Sequence, residues 1–180
     1  MKIFNNTTIK AIDKATIEID GVTSLELVER AAEAITCEII SRWRSNKKVS
    51  IFAGNGNNGA DALAVARLLI EQGYNPEIYL FNIGGNQLSP ECKVCRDRLI
   101  EMGNANLFEI TENFTLPAIS PNHLVIDGLF GTGLNRPIAG GFTTLIRYIN
   151  DSNAFIFSLM YEGKFIEPIN PATNLFLGLL

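Results

Sequence analysis

Apolar positions along the chain follow two periods, and the switches between them mark the predicted elements. Near the start, "NTTIKAIDKATIEIDG" sets Ile9, Ile12 and Ala15 on one face, with Asn6 or Thr7 as cap and Gly21 as stop, which predicts a short helix. "TSLELVERAAEAITCEIISRW" predicts a longer helix, with Thr23 and Glu26 as a capping-box pair and Leu27, Ala31, Ala34, Ile35 and Ile39 as its apolar stripe. The period then shortens. "KVSIFAG" (48–54) is a β-branched and aromatic run ending in glycine and predicts a buried strand. "ADALAVARLLIEQG" (60–73) returns to the helical period and closes on glycine.

The alternation continues to the end of the ordered pattern. "PEIYLFN" (76–82) predicts a strand, and Ser89-Pro90-Glu91 opens a helix that runs to Met102 with Gly103 behind it. Strands follow at 106–110 and 123–127, then a glycine-rich loop, a short helix "FTTLIRYIN" and a strand at 154–159. Strands alternating with helices imply an α/β domain of three layers, Rossmann-like, with a mostly parallel sheet, helices on both faces and a helical N-terminal extension.

Composition changes this picture little. The 180 residues are 47% hydrophobic and 19% charged, enough apolar material for one domain with a substantial core. A net charge of −4, with Lys47–Lys48 as a pair and no basic run, argues against nucleic acid or an anionic membrane as the main partner. "MKIFNNTTIKAID" lacks the apolar core of a signal peptide, and no apolar run reaches the roughly 18 residues of a membrane span. Cys37, Cys92 and Cys95 form no secreted-type pattern, so the expectation is a cytoplasmic protein with reduced thiols.

Candidate chemistry lies in two glycine-rich turns. The first, "GNGNNGAD" (54–61), falls between a predicted strand and a predicted helix, where free backbone N–H groups and the helix dipole favour an anion. Its opening fits G-x-G-x-x-G, but an acid should follow about 20 positions later to hold the ribose of a hydride-carrying cofactor. That second strand ends "YLFNIGG", with Asn82 and no acid. Asn57 and Asn58 point instead to orientation of a polar ligand or to a hard cation, which takes oxygen donors. The second turn, "VIDGLFGTGLNRPIAGG" (125–141), sets Asp127 at a strand's carboxyl end and follows it with glycines and Arg136, a phosphate-suited loop.

Other candidates carry less. Cys92-x-x-Cys95 lies inside a predicted helix without a partner pair, and His123, the single histidine, precedes an apolar strand and reads as structural. There is no G-x-S-x-G and no G-x-x-x-x-G-K-[ST], which disfavours a serine hydrolase and a P-loop enzyme.

"AIDKATIEIDGVTSLELVERAA", "GNGNNGADALAVARLL" and "VIDGLFGTGLNRPI", in that order, resemble the NAD(P)H-hydrate epimerase family (the YjeF N-terminal domain) over residues 1–159. The resemblance implies interconversion of the R and S epimers of hydrated NADH or NADPH, damaged cofactors whose S form an ADP- or ATP-dependent dehydratase consumes. It further implies that Asn57, Asn58, Gly59, Ala60 and Asp61, with Gly131, Thr132, Gly133, Leu134, Asn135, Arg136 and Pro137, contact the substrate. Asn58 and Asp127 would hold a potassium ion, Asp61 or Asp127 would act as acid and base, and the protein would be a homodimer. Ala60 stands where the family often has glycine.

The pattern breaks after residue 159. The family continues with a D-I-P-S-G-type motif, whereas this chain reads "MYEGKFIEPINPATNLFLGLL", with Met160 at the Asp position and Gly163 at the Ser position. The expectation is therefore an incomplete epimerase domain at 1–159 and a divergent tail at 160–180, through truncation, a frameshift or divergence. Activity would be impaired, and the alternative is a non-catalytic nucleotide-binding or protein-interaction module.

Overall fold

A computed structural model of the chain describes residues 21–85, 87–131, 137–159 and, as backbone, 174–176. The helix predicted before Gly21 lies outside the described residues. Helix α1 (Ser24–Arg42) begins at the predicted capping box: the Glu26 N–H donates to Thr23 Oγ1 at 3.2 Å and the Thr23 N–H donates to Glu26 Oε2 at 2.7 Å. Its buried face corrects the predicted stripe. Val28, Ala32, Ile35, Thr36 and Ile39 are buried, while Leu27 and Ala31 are half-buried and Ala34 is exposed. Two adjoining rows of this helix are both largely apolar, and Thr36 disguises which of them faces inward.

The remaining elements alternate: β1 (Val49–Ala53), α2 (Asn57–Glu71), β2 (Glu77–Phe81), α3 (Pro90–Met102), β3 (Asn106–Ile110), β4 (Leu124–Gly128), α4 (Gly141–Asp151), β5 (Phe155–Ser158) and β6 (Asn174–Phe176). The strands form one six-stranded sheet in the order β3-β2-β1-β4-β5-β6, and every pairing is parallel. Strand β6 falls in the segment after 159, to which the sequence pattern assigned no element, and it adds to β5. The sheet order reverses direction between β1 and β4, so a crevice opens at their carboxyl ends.

Alternation along the strands divides the core in two. Ile51, Ala53, Ile78, Leu80, Leu124, Ile126 and Phe157 face α2 and α3, with α1 packed behind α2. Phe52, Tyr79, Phe81, Val125 and Ile156 face Leu145 and Ile149 of α4. On that second face Tyr79 stacks between Phe52 and Phe108 with ring centroids 5.3 Å from each. Across the outer helices, the Glu29 carboxylate of α1 receives Arg67 of α2 and Arg98 of α3 and ties the layer together.

Glycine permits the start of α2 to wedge between β1 and β4. A Cβ on Gly59 would lie 1.9 Å from Gly54 O, and one on Gly128 would lie 2.6 Å from Ala62 Cβ and 2.9 Å from Asn58 O. No side chain fits at either position. The wedge carries the first residues of α2 into the crevice.

Candidate functional site

Helix α2 starts three residues before the predicted position, because Gly56 serves as its N-cap without any side-chain bond. The early N–H groups of a helix have no intrahelical acceptor, so those that open α2 face the crevice as donors. A methyl on Gly56 would have nothing within 4 Å, which leaves the backbone there open to a close-approaching ligand. Ala60 is different: its methyl lies in the core and its N–H already donates to Gly56 O at 3.1 Å. The methyl that replaces a glycine is thus accommodated by packing.

Asn58 joins the two glycine-rich turns. Its Nδ2 donates to Phe130 O at 2.9 Å, across 72 residues of sequence, and its side chain packs beneath Gly131, where a Cβ would lie 3.1 Å from Asn58 Cβ. With the amide nitrogen committed, Oδ1 remains as an acceptor. Phe130 is itself steadied by an edge contact with Phe142 of α4, ring centroids 5.1 Å apart.

Asp127 stands at the end of β4 on the aromatic face, in register with Phe52 on one side and Ser158 on the other. Its Oδ1 accepts the Leu129 N–H at 3.1 Å. Burial pushes its carboxyl above the ordinary carboxylate range, and the Leu129 bond opposes this. Among the described residues no Lys or Arg forms an ion pair with it. Buried Ser158, aligned beside Asp127, is a site neighbour that the sequence reading did not single out, although its alternation along β5 puts it on the same face.

Asp61 sits one helical turn beyond Asn57 and is half-buried; its charge contributes to raising the Cys95 thiol, which locates it toward α3. Gly131 and Pro137 are half-buried and exposed respectively, whereas Thr132, Gly133, Leu134, Asn135 and Arg136 lie outside the described residues. Met160 and Gly163 lie outside them too.

At the end of β2, Asn82 is buried and internally satisfied: Nδ2 donates to Glu109 Oε1 at 2.6 Å, and Oδ1 accepts the Gln87 N–H at 3.1 Å. No carboxylate terminates that strand. Cys92 and Cys95 are buried, with burial pushing their thiols up to about 12 and about 11. Among the described residues no group of three or more His, Cys, Asp or Glu gathers as a metal cluster. No helix among them is long and apolar enough to cross a membrane.

A parallel sheet with two glycine-rich turns meeting at its reversal point defines a Rossmann-like α/β protein whose site lies at the carboxyl edge. Residues 24–159 match the family described as "YjeF-related protein N-terminus". The chain belongs to that family. It is 32% identical over 156 residues to the NAD(P)H-hydrate epimerase of Limosilactobacillus reuteri strain DSM 20016, covering 86% of this chain and 70% of that protein. It is 34% identical over 165 residues to the NAD(P)H-hydrate epimerase of Anaerococcus prevotii, covering 88% and 73%. Its fold matches the crystal structure of yeast ynu0 with a TM-score of 0.74 at 23% identity, over 88% of this chain and 69% of that one.

Proposed function

We propose that this chain binds hydrated NADH or NADPH in the crevice between β1 and β4 and interconverts its R and S epimers. The observation that carries the reading is the bond from Asn58 of the first glycine-rich turn to Phe130 O of the second, the turn that Asp127 opens, in a chain whose similar relatives are NAD(P)H-hydrate epimerases. The N–H groups opening α2 and the loop from Gly131 to Pro137 receive the pyrophosphate. Asn57, Asn58 and Asp61 orient the polar remainder of the substrate.

Epimerisation exchanges the face on which a hydroxyl sits, which opening and re-forming the C–O bond, or an equivalent proton-assisted route, achieves. A carboxyl group can give a proton to the departing hydroxyl as water and take one back when water adds to the opposite face, with no net change in protons. We assign this to Asp127 rather than to Asp61. Burial raises the proton affinity of its carboxyl, which suits a group that gives up a proton and takes it back.

The donors also suit a potassium ion. Asn58 Oδ1 and the Asp127 carboxyl oxygen that does not carry the proton are hard oxygen ligands, and Asp127 has no cationic partner among the described residues. Bound there, the ion would supply positive charge beside the reacting ring. The S hydrate then passes to an ADP- or ATP-dependent dehydratase, and the setting is cytoplasmic.

A second reading is a binding module without turnover, favoured by Met160 and Gly163 where the family motif has Asp and Ser. The experiment that separates the two follows pure R hydrate of NADH by chromatography. Formation of the S epimer faster than without protein supports turnover, and binding without conversion supports the module.

A further inference from the structure

The glycine turn after β1 is held from behind by a helix outside the crevice. Cys92, in the first turn of α3, is buried and sets Sγ 3.6 Å from Gly54 O, within reach for a sulfur donor. Three residues earlier, the Ser89 N–H donates to Asn55 O at 2.8 Å. Ser89 also caps α3 by accepting the Cys92 N–H at 3.2 Å, so one capping bond orients both donors. Two consecutive carbonyls of the turn are thus tied to one helix start.

Peptide planarity gives these bonds a consequence in the crevice. The carbonyl of one residue and the N–H of the next share a plane and point in opposite directions. Fixing Gly54 O toward α3 therefore aims the Asn55 N–H away from it, and fixing Asn55 O does the same for the Gly56 N–H. The Gly54 N–H is already bound to Gly128 O at 3.0 Å, so the turn has little freedom to rotate. A Cβ on Gly56 would meet nothing within 4 Å, so the backbone that carries these donors has room for a ligand.

We infer that the first turn of α3 holds the glycine turn in its anion-receiving orientation, with Cys92 as the positioning residue that acts through Gly54 O. This rests on the reading of that turn as the pyrophosphate cradle. The thiol proton remains in place at all physiological pH, since burial pushes the group up to about 12. The Cys92-x-x-Cys95 pair is accordingly a positioning device in one member and core packing in the other.

The test uses the full chain and three variants: Cys92→Ala, which deletes the donor; Cys92→Ser, which keeps one; and Cys95→Ala, which makes a similar void in the same helix without touching the turn. Amide hydrogen exchange over 54–60 is measured without ligand, and hydrated NADH affinity by equilibrium dialysis. Exchange over 54–60 rises about threefold in Cys92→Ala, as expected for loss of one weak hydrogen bond, and stays near wild type in the other two. The dissociation constant rises in the same order, also about threefold. Unchanged exchange in Cys92→Ala, or an equal rise in Cys95→Ala, overturns the inference. If exchange follows the expected order but hydrated NADH binds neither wild type nor variant, the clasp stands and the cradle reading of the turn falls.

Discussion

Asn58 and Phe130 are 72 residues apart, yet the amide of one donates to the carbonyl of the other at 2.9 Å. That single bond joins the turn after β1 to the turn after β4. Asn58→Ala removes it and leaves a half-buried carbonyl without its partner, at a cost of about 1–2 kcal/mol in stability by urea unfolding. The affinity for hydrated NADH, read by dialysis, falls by about tenfold or more, because both turns lose their common anchor. Retained affinity in a folded Asn58→Ala protein would mean that the turns act independently.

Two glycines of the first motif should respond in opposite ways. Gly59→Ala drives a methyl to within 1.9 Å of Gly54 O, so the start of α2 must shift, at a cost of about 3 kcal/mol and visible as a large drop in Tm. Gly56→Ala meets nothing within 4 Å, and φ at Gly56 is −99°, so stability is retained. Its methyl instead occupies the ligand side, and dialysis against hydrated NADH will show weakened binding at unchanged Tm.

This contrast bears on how much could be read before the fold was known. Strong periodicity, glycine stops and the Ser89-Pro90-Glu91 start placed α1 to α4 and β1 to β5 with shifts of at most three residues. The capping box of Thr23 and Glu26 was legible because it is local. The motif glycines were legible as a motif but not by role: Gly54 and Gly59 serve packing, and Gly56 serves access. The Asn58–Phe130 bond and the Cys92 contact on Gly54 depend on which turns meet, which no local pattern encodes. Strand β6 was missed because "NLF" is too short to carry a period of its own.

Asp127 should be a liability in the absence of a cation. Its folded-state pKa lies above its unfolded value, so the native state binds the extra proton and stability falls as pH rises through and above the carboxylate range. Asp127→Asn, unable to ionise, will raise Tm at pH 7 in sodium buffer. Replacing sodium by potassium should stabilise wild type by about 1.4 kcal/mol at a tenfold excess over the dissociation constant, and leave Asp127→Asn unmoved. Equal response of both proteins to potassium would remove Asp127 from the ion's ligands.

His123 gives a second pH dependence with the opposite sign. Burial holds its imidazole below the ordinary 6.5, Lys48 adds to this and Glu77 opposes it. Its Nδ1 is buried without a partner among the described residues. The unfolded state therefore binds a proton that the native state refuses, so stability is lost as pH falls through about 6.5 toward the lowered value. In urea titrations between pH 7.5 and 5.5, His123→Gln should flatten this loss. An unchanged slope would assign it to other groups.

The most direct test of the central claim is conversion of the R hydrate of NADH to the S hydrate, resolved by chromatography and run in potassium buffer. Wild type, Asp127→Asn and the Limosilactobacillus reuteri relative are compared with the uncatalysed rate. Wild type should convert above background, with a loss of about a hundredfold or more in Asp127→Asn, the usual scale of a general acid–base contribution. Background-level conversion by wild type while the relative turns over would contradict the claim, and would leave the chain a binding module.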